Sequence, residues 1–204
     1  MKKRGLLIVL SGPSGVGKGA ISKQLREREN NLWYSISATT RRPRQGEVNG
    51  EDYFFMSEEE FFEKRQNGEF IEWACFCNNY YGTPKAKVFE MLNRGVDVIL
   101  EIDIQGAKKV KDSFKDAIFI FILPPSRKEW KKRIFRRGTE TEIERTLRLE
   151  TGEKEIKEIK NYNYAIINDL LINAVRQVEI IVEVEKLKVL KFLEDDENEW
   201  KFDD

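Results

Sequence analysis

The segment Leu6–Leu25, LLIVLSGPSGVGKGAISKQL, decides how the rest of the chain is read. Leu6 to Leu10 is an uninterrupted apolar run, the signature of a strand buried on both faces. It breaks into the glycine-rich turn Gly12-Pro13-Ser14-Gly15-Val16-Gly17-Lys18, and a helix follows with Ile21 and Leu25 on one face. Strand, glycine turn and helix in that order form a phosphate-cradling loop. Backbone N–H groups converge on an anion, and the helix N-terminus adds its positive potential. The glycines let the backbone close without side-chain clash, and Lys18 carries a mobile charge to the outer phosphates. The segment therefore predicts nucleotide phosphate binding.

One position departs from the common form of this loop, in which a Ser or Thr hydroxyl after the lysine touches Mg²⁺. Gly19 stands there, followed by Ala20, and neither carries a side-chain oxygen. Mg²⁺ retains several waters and often takes only one or two protein ligands besides phosphates. The metal is therefore expected to be held mainly by phosphates and water.

At 204 residues the chain is long enough for one domain with a real core. Its 36 basic and 36 acidic residues balance, so net charge gives no reason to expect nucleic acid or a membrane surface as partner. No apolar run approaches a membrane span. The basic start Met1-Lys2-Lys3-Arg4 leads into a run too short for a signal peptide, so a cytoplasmic location is expected. The chain has no histidine, which removes His-based triads and makes zinc an improbable ligand for its two cysteines. Cys75 and Cys77, two apart beside aromatic residues, read as buried packing thiols.

Farther along, Leu32–Ile36 reads as a strand and Ser37–Asp52 as a loop-rich stretch with a cationic patch, Arg41-Arg42-Pro43-Arg44. Ser57 with Glu60 forms a capping box for a helix to Asn67 that Gly68 stops. Phe70–Phe76 is a strand, and Pro84–Arg94 a helix stopped by Gly95. Val96–Ile102 is a buried strand that delivers Asp103 at its end. A helix around Ala107–Val110 and a strand at Ala117–Leu123 follow. Ser126 with Glu129 opens another helix, interrupted by Gly138. Thr139 with Glu142 caps a polar helical stretch to Lys160. Tyr164–Ile167 is the last strand, Asn168-Asp169 caps a final helix to Glu185, and the acidic tail Glu194–Asp204 is read as solvated.

Strands alternating with helices predict an α/β fold, a parallel sheet covered on both faces. Ligands bind such sheets beyond the carboxyl ends of the strands, which places the glycine loop, Asp103 and Asn168 on one rim. The stretches least like α/β core, 37–95 and 129–160, become insertions over that rim. Two arms over one glycine loop suit a kinase acting on a small phosphorylated acceptor.

Four blocks carry a resemblance to the guanylate kinase family: Ser11–Lys18; Ser37-Ala38-Thr39-Thr40-Arg41-Arg42-Pro43-Arg44 with Gly50-Glu51-Asp52-Tyr53; Phe70-Ile71-Glu72-Trp73 with Tyr80-Tyr81-Gly82-Thr83; and Arg137-Gly138-Thr139-Glu140-Thr141-Glu142. The resemblance runs from Leu6 to about Val184. It implies a phosphate-loop core of 1–36, 96–128 and 161–204, a GMP-binding arm of 37–95 and a helical lid of 129–160. It implies phosphorylation of GMP, with dGMP as a second acceptor, by ATP with Mg²⁺, and no obligatory protein partner.

The family's residue roles make physical sense at the matching positions. ATP is assigned to Gly12, Pro13, Ser14, Gly15, Val16, Gly17, Lys18 and Gly19, with Asn168 on the adenine side. A GMP phosphate suits the planar donors of Arg41 and Arg44, with hydroxyls from Tyr53 and Tyr81. Guanine offers two donors on one edge, which the acceptor-only Glu72 can take together, with Ser37 and Thr83 completing that edge. Adenine would set a lone pair against Glu72, a mismatch that can discriminate by about 10⁴. Glu101 is assigned to the GMP ribose or base, and Asp103 to the acceptor or to Mg²⁺ waters. Lys18, Arg133, Arg137 and Arg148 are assigned to the charge on the transferring group. The alternative is a guanylate-kinase-like interaction module without catalysis. The intact Gly12, Gly15, Gly17 and Lys18 speak against it, and the presence of Glu72 and Thr83 against a sugar-phosphate kinase.

Overall fold

The glycine loop grows out of a strand that has neighbours on both sides and helices on both faces. In the computed structural model, residues 4–28, 31–76, 78–135 and 142–188 are described. The elements are β1 (Leu7–Ser11), α1 (Lys18–Arg26), β2 (Leu32–Tyr34), β3 (Ala38–Thr39), β4 (Phe54–Phe55), α2 (Glu58–Gln66), β5 (Phe70–Phe76) and β6 (Asn79–Pro84). They continue with α3 (Lys85–Asn93), β7 (Asp97–Glu101), α4 (Ile104–Ser113), β8 (Ile118–Leu123), α5 (Arg127–Phe135), α6 (Glu142–Ile156), a 3₁₀ turn (Lys157–Asn161), β9 (Tyr164–Ile167) and α7 (Leu171–Lys186).

The main sheet runs β2-β7-β1-β8-β9, and every pairing in it is parallel. Alternation along the strands divides the core in two. Ile8, Leu10, Ile120 and Ile122 face one side, where Ile21 and Leu25 of α1, Ile134 of α5 and Val175 and Val178 of α7 cover them. Leu7, Val9, Leu100 and Phe119 face the other, beneath Val88 and Leu92 of α3 and Ala107 and Val110 of α4. A strand buried on both faces needs an unbroken apolar run, which is what Leu6–Leu10 and Val98–Leu100 supply. No helix among the described residues is long and apolar enough to cross a membrane.

Residues 37–95 contain a second sheet that the sequence did not announce, ordered β4-β3-β6-β5. β6 runs antiparallel to both β3 and β5, and β4 lies parallel to β3. Behind it Phe61 of α2 is fully buried, its ring stacked on Phe70 at 4.7 Å and tilted against Tyr80 at 5.7 Å. Helix α2 carries the expected capping box: the Ser57 hydroxyl accepts from the Glu60 N–H at 3.1 Å, and the Glu60 carboxylate accepts from the Ser57 N–H at 2.9 Å.

Three readings are corrected or fall outside. Cys75 is exposed, because β5 turns Glu72 and Ala74 inward and the intervening residues outward, so it is not a buried packing thiol. Helix α7 is not capped by Asn168 or Asp169. Its N-cap is Leu170, without a side-chain bond, because the Asn168 amide is engaged elsewhere. Arg137, Gly138, Thr139, Cys77 and the acidic tail lie outside the described residues.

The second sheet hangs on its single buried aromatic. Phe61→Ala should lower the unfolding free energy by about 3–5 kcal/mol, read from urea denaturation; a loss below about 1 kcal/mol would mean that α2 contributes little to this unit.

Candidate active site

The loop after β1 keeps its shape because its glycines are pressed by neighbours. Gly12 sits at φ 142, and a β-carbon there would lie 2.4 Å from the Ile122 carbonyl oxygen; at Gly17, φ 93, it would lie 2.5 Å from Asn168 Nδ2. Gly17 is also the N-cap of α1, so the helix N-terminus opens directly at the loop. Lys18 folds back over the loop, its ammonium donating to the Gly12 and Pro13 carbonyls at 2.6 and 3.2 Å.

Asn168 lies at the end of β9, 5% exposed, and donates from its amide to the Val16 carbonyl at 2.8 Å. Its side chain braces the loop from behind and does not line the cleft. Arg133 is spent on the same strut: its guanidinium donates to the Asn168 carbonyl at 3.0 Å and to Glu129 at 3.3 Å. Ser14 is held from two directions, by α5 and by α6. Trp130 Nε1 donates to its carbonyl at 2.8 Å and Arg148 donates to its hydroxyl.

Across the cleft the second sheet presents Glu72, Ala74 and Phe76, the inward set of β5. Glu72 is 5% exposed and Thr83, on β6, 1%. The Thr83 hydroxyl donates to the Glu72 carboxylate at 2.6 Å. The carboxylate also lies against the first turn of α4, where a β-carbon on Gly106 would come within 2.5 Å of it. Asp103, the N-cap of α4, accepts the Gly106 N–H at 2.7 Å. Burial is the main force that pushes Glu72 up to about 7; the Thr83 bonds hold it down, Asp103 raises it and Lys109 lowers it. Burial likewise raises Asp103, opposed by the Gly106 N–H and by Lys18.

Arg41 is clamped by a residue that sequence reasoning missed. Both of its terminal nitrogens donate to Glu47 at 2.9 Å, and Glu47 also accepts the Arg44 backbone N–H at 2.7 Å. The guanidinium lies 5.3 Å from the Tyr53 ring centroid and 5.7 Å from that of Phe55. Tyr53 packs edge-on to Tyr81 at 6.1 Å and is pushed up to about 12, by burial first and the Glu101 charge second, so its phenol stays a donor. Glu101 accepts from Tyr34 at 3.1 Å. It lies beside Gly19, where a β-carbon would stand 3.5 Å from its carboxylate, an ordinary contact.

One cleft of about 470 Å³ gathers these groups. Of the residues singled out by sequence, Gly12, Ser14, Gly15, Gly17, Lys18 and Gly19 line its loop side, and Ser37, Arg41, Arg44, Tyr53, Glu72, Tyr81, Glu101, Asp103 and Arg148 the remainder. Pro13, Val16, Thr83, Asn168 and Arg133 stand behind the lining, and Arg137 lies outside the described residues. Glu155 also lines the cleft and was missed, one acid in a helix crowded with Lys and Glu. Glu155 carries no local signal, whereas Glu47, three residues after Arg44, could have been found as the acid nearest the arginine patch.

A parallel sheet with a glycine loop between its central strand and its first helix, facing a buried carboxylate across one cleft, defines a phosphate-loop kinase. The family model for guanylate kinase matches residues 4–185. A guanylate kinase of Clostridium tetani is 54% identical over 187 residues, covering 92% of this chain and 89% of its own. One of Lactobacillus johnsonii is 46% identical over 204 residues, 100% of both chains. The crystal structure of guanylate kinase from Anaplasma phagocytophilum superposes with a TM-score of 0.80 at 34% identity, covering 93% of this chain and 90% of that one. The chain belongs to the guanylate kinase family.

Because Glu72 titrates above its ordinary 4.5, it favours the folded state most at low pH, and that contribution is lost as pH rises through about 7. Thr83→Val removes a bond that favours the carboxylate, so the Glu72 midpoint should move higher still, read by side-chain carbon NMR. A midpoint unchanged or lowered would contradict this environment.

Proposed function

We propose that the chain transfers the γ-phosphoryl group of ATP to GMP, giving ADP and GDP. The observation that carries this reading is Glu72: a carboxyl group buried at the cleft wall and partnered by Thr83, whose ionised form offers acceptors alone. A base that presents two adjacent donors is the ligand such a group discriminates for. The ionised form accepts from both guanine N–H groups, and Ser37 stands on the same lining.

The acceptor phosphate falls to Arg41, Arg44, Tyr53 and Tyr81, with Glu47 fixing the plane of Arg41. The donor phosphates fall to the loop from Gly12 to Gly19, whose N–H groups and Lys18 neutralise them. Arg148 stands at Ser14, where it can follow charge on the transferring group; Arg133, through Asn168, positions the loop rather than touching phosphate. Residues 37–95 then act as the acceptor-binding arm and 129–160 as the lid over a core of 1–36, 96–128 and 161–204. Little covalent help is required, since positioning and charge neutralisation carry phosphoryl transfer.

The cleft beside the loop is walled by hard oxygen donors, Glu101 and Asp103, which suits Mg²⁺. Gly19 offers no hydroxyl, so phosphates and water would hold the ion, with Asp103 as the acid that would orient those waters. Bound there, Mg²⁺ supplies charge neutralisation for the transferring group. The small substrates and the absence of a membrane-spanning helix among the described residues support a cytoplasmic enzyme.

A monophosphate panel with Mg-ATP, read by coupled ADP release, tests the reading. GMP should be phosphorylated with AMP, CMP and UMP slower by about 10⁴, and comparable rates with AMP would remove the base-recognition argument. Below pH about 7, protonation of Glu72 should raise the KM for GMP, by up to about tenfold per pH unit, without a matching rise for ATP. A flat GMP profile between pH 5.5 and 8 would contradict the assignment.

A further inference from the structure

Glu72 stands at an irregular point of its strand. Phe70 pairs with Pro84 and Trp73 with Gly82, so Ile71 and Glu72 of β5 together oppose the single residue Thr83 of β6. Such a bulge interrupts the ladder and re-aims the side chain that it carries. Here the carboxylate meets the Thr83 hydroxyl at 2.6 Å and the first turn of α4. A strand released from regular pairing needs another restraint if that side chain is to keep one position.

Helix α4 supplies the restraint. Gly106 and Lys109 lie three residues apart and share one face of the helix. Gly106 makes room, since a β-carbon there would stand 2.5 Å from the Glu72 carboxylate. Lys109 makes a tether. Its ammonium donates to the carbonyl of Trp73, where regular pairing resumes, and lies 4.1 Å from the Trp73 ring centroid. An exposed lysine ordinarily extends its head into water; this one commits it to a main-chain carbonyl and a π-face. Arg65 lies over the same ring at 3.9 Å, but it belongs to α2, on the same unit as Trp73. It can orient the indole without fixing β5 against the main sheet. Of the two cations, Lys109 is the one that crosses between the units.

We propose that Lys109 is a positioning residue for acceptor selection, holding Trp73 against α4 so that Glu72 keeps the place at which it meets the base. This deepens the reading of Glu72 as the base-selecting group and rests on it. Lys109 does not line the cleft, so it acts through the strand. Without the tether the bulge relaxes along α4, and the carboxylate leaves the space that Gly106 holds open. A donor held by the glycine loop does not depend on this strand, and neither does a base that makes no bond to Glu72.

Steady-state kinetics of the full chain with Mg-ATP tests this, with GMP and AMP as acceptors, at a pH well above the Glu72 midpoint of about 7. Lys109→Met keeps most of the stem and removes both donor and charge; Lys109 is exposed, so the change leaves the core untouched. Its KM for GMP should rise about tenfold, with kcat and the KM for ATP changed by less than about twofold. Its preference for GMP over AMP in kcat/KM should fall about tenfold. Lys109→Arg, which retains a donor and a cation for the ring, should recover most of both losses. A Met variant that selects GMP as the unaltered chain does would overturn the proposal. An equal rise in the KM for ATP, the mark of general loosening, would overturn it too. So would a defect confined to pH near the Glu72 midpoint, the mark of the lysine's charge acting on ionisation rather than its hold on Trp73. In each of these cases, selection of GMP by the unaltered chain leaves the Glu72 reading standing. An unaltered chain that phosphorylates AMP as readily as GMP would bring down that reading and the proposal together.

Discussion

The chain can wrap an anion between β1 and α1 only because three residues of the turn carry no β-carbon. Gly12, Gly15 and Gly17 all have positive φ, at 142°, 83° and 93°, and their neighbours leave no room for a side chain. Ile122 on β8, Ile134 on α5 and Asn168 after β9 are those neighbours, so the loop's shape is imposed by elements from the second half of the chain. The central place of β1 in the sheet follows from the same requirement. Only a strand flanked by β7 and β8 can deliver a turn that both halves of the fold brace.

Against this rigid cradle stands a carboxylate that the fold keeps at some expense. Burial opposes the charge on Glu72, and the structure answers with the Thr83 hydroxyl and with the N-terminal turn of α4. Gly106 is the residue that allows this approach, since any side chain there would occupy the carboxylate's position. Lys109, one turn on, reaches the Trp73 carbonyl and lies 4.1 Å from the Trp73 ring centroid, tying α4 of the main sheet to β5 of the second. The selecting group is thus fixed by both sheets at once. The same pattern of restrained charge recurs at Arg41, whose planar fork is oriented by Glu47.

Much of this was legible before any coordinates. Apolar runs located β1, β7 and β8, and the Ser57–Glu60 box and the glycines at 68 and 95 bounded α2 and α3, each glycine with positive φ. β5 and β9 were read to the residue. What was not legible had physical reasons. β3 and β4 are two residues each, too short to show a period, and β6 carries Gly82 and ends at Pro84. Cys75 was misread because a two-residue alternation does not say which face is inward until a partner is known. Asn168 was expected as a helix cap, but its amide is committed to Val16, a bond between residues 152 positions apart. Glu155 reaches the cleft only when α6 is folded onto Ser14.

The central claim is that one rim carries two pockets, a donor cradle closed by glycines and a purine slot floored by a buried acid. A crystal structure with GMP and the imido analogue of ATP bound together tests it most directly. The account predicts the guanine edge with both of its N–H donors on the Glu72 carboxylate and the analogue's phosphates within the Gly12–Lys18 turn. A guanine edge resting on any other group, or phosphates held outside that turn, would contradict it.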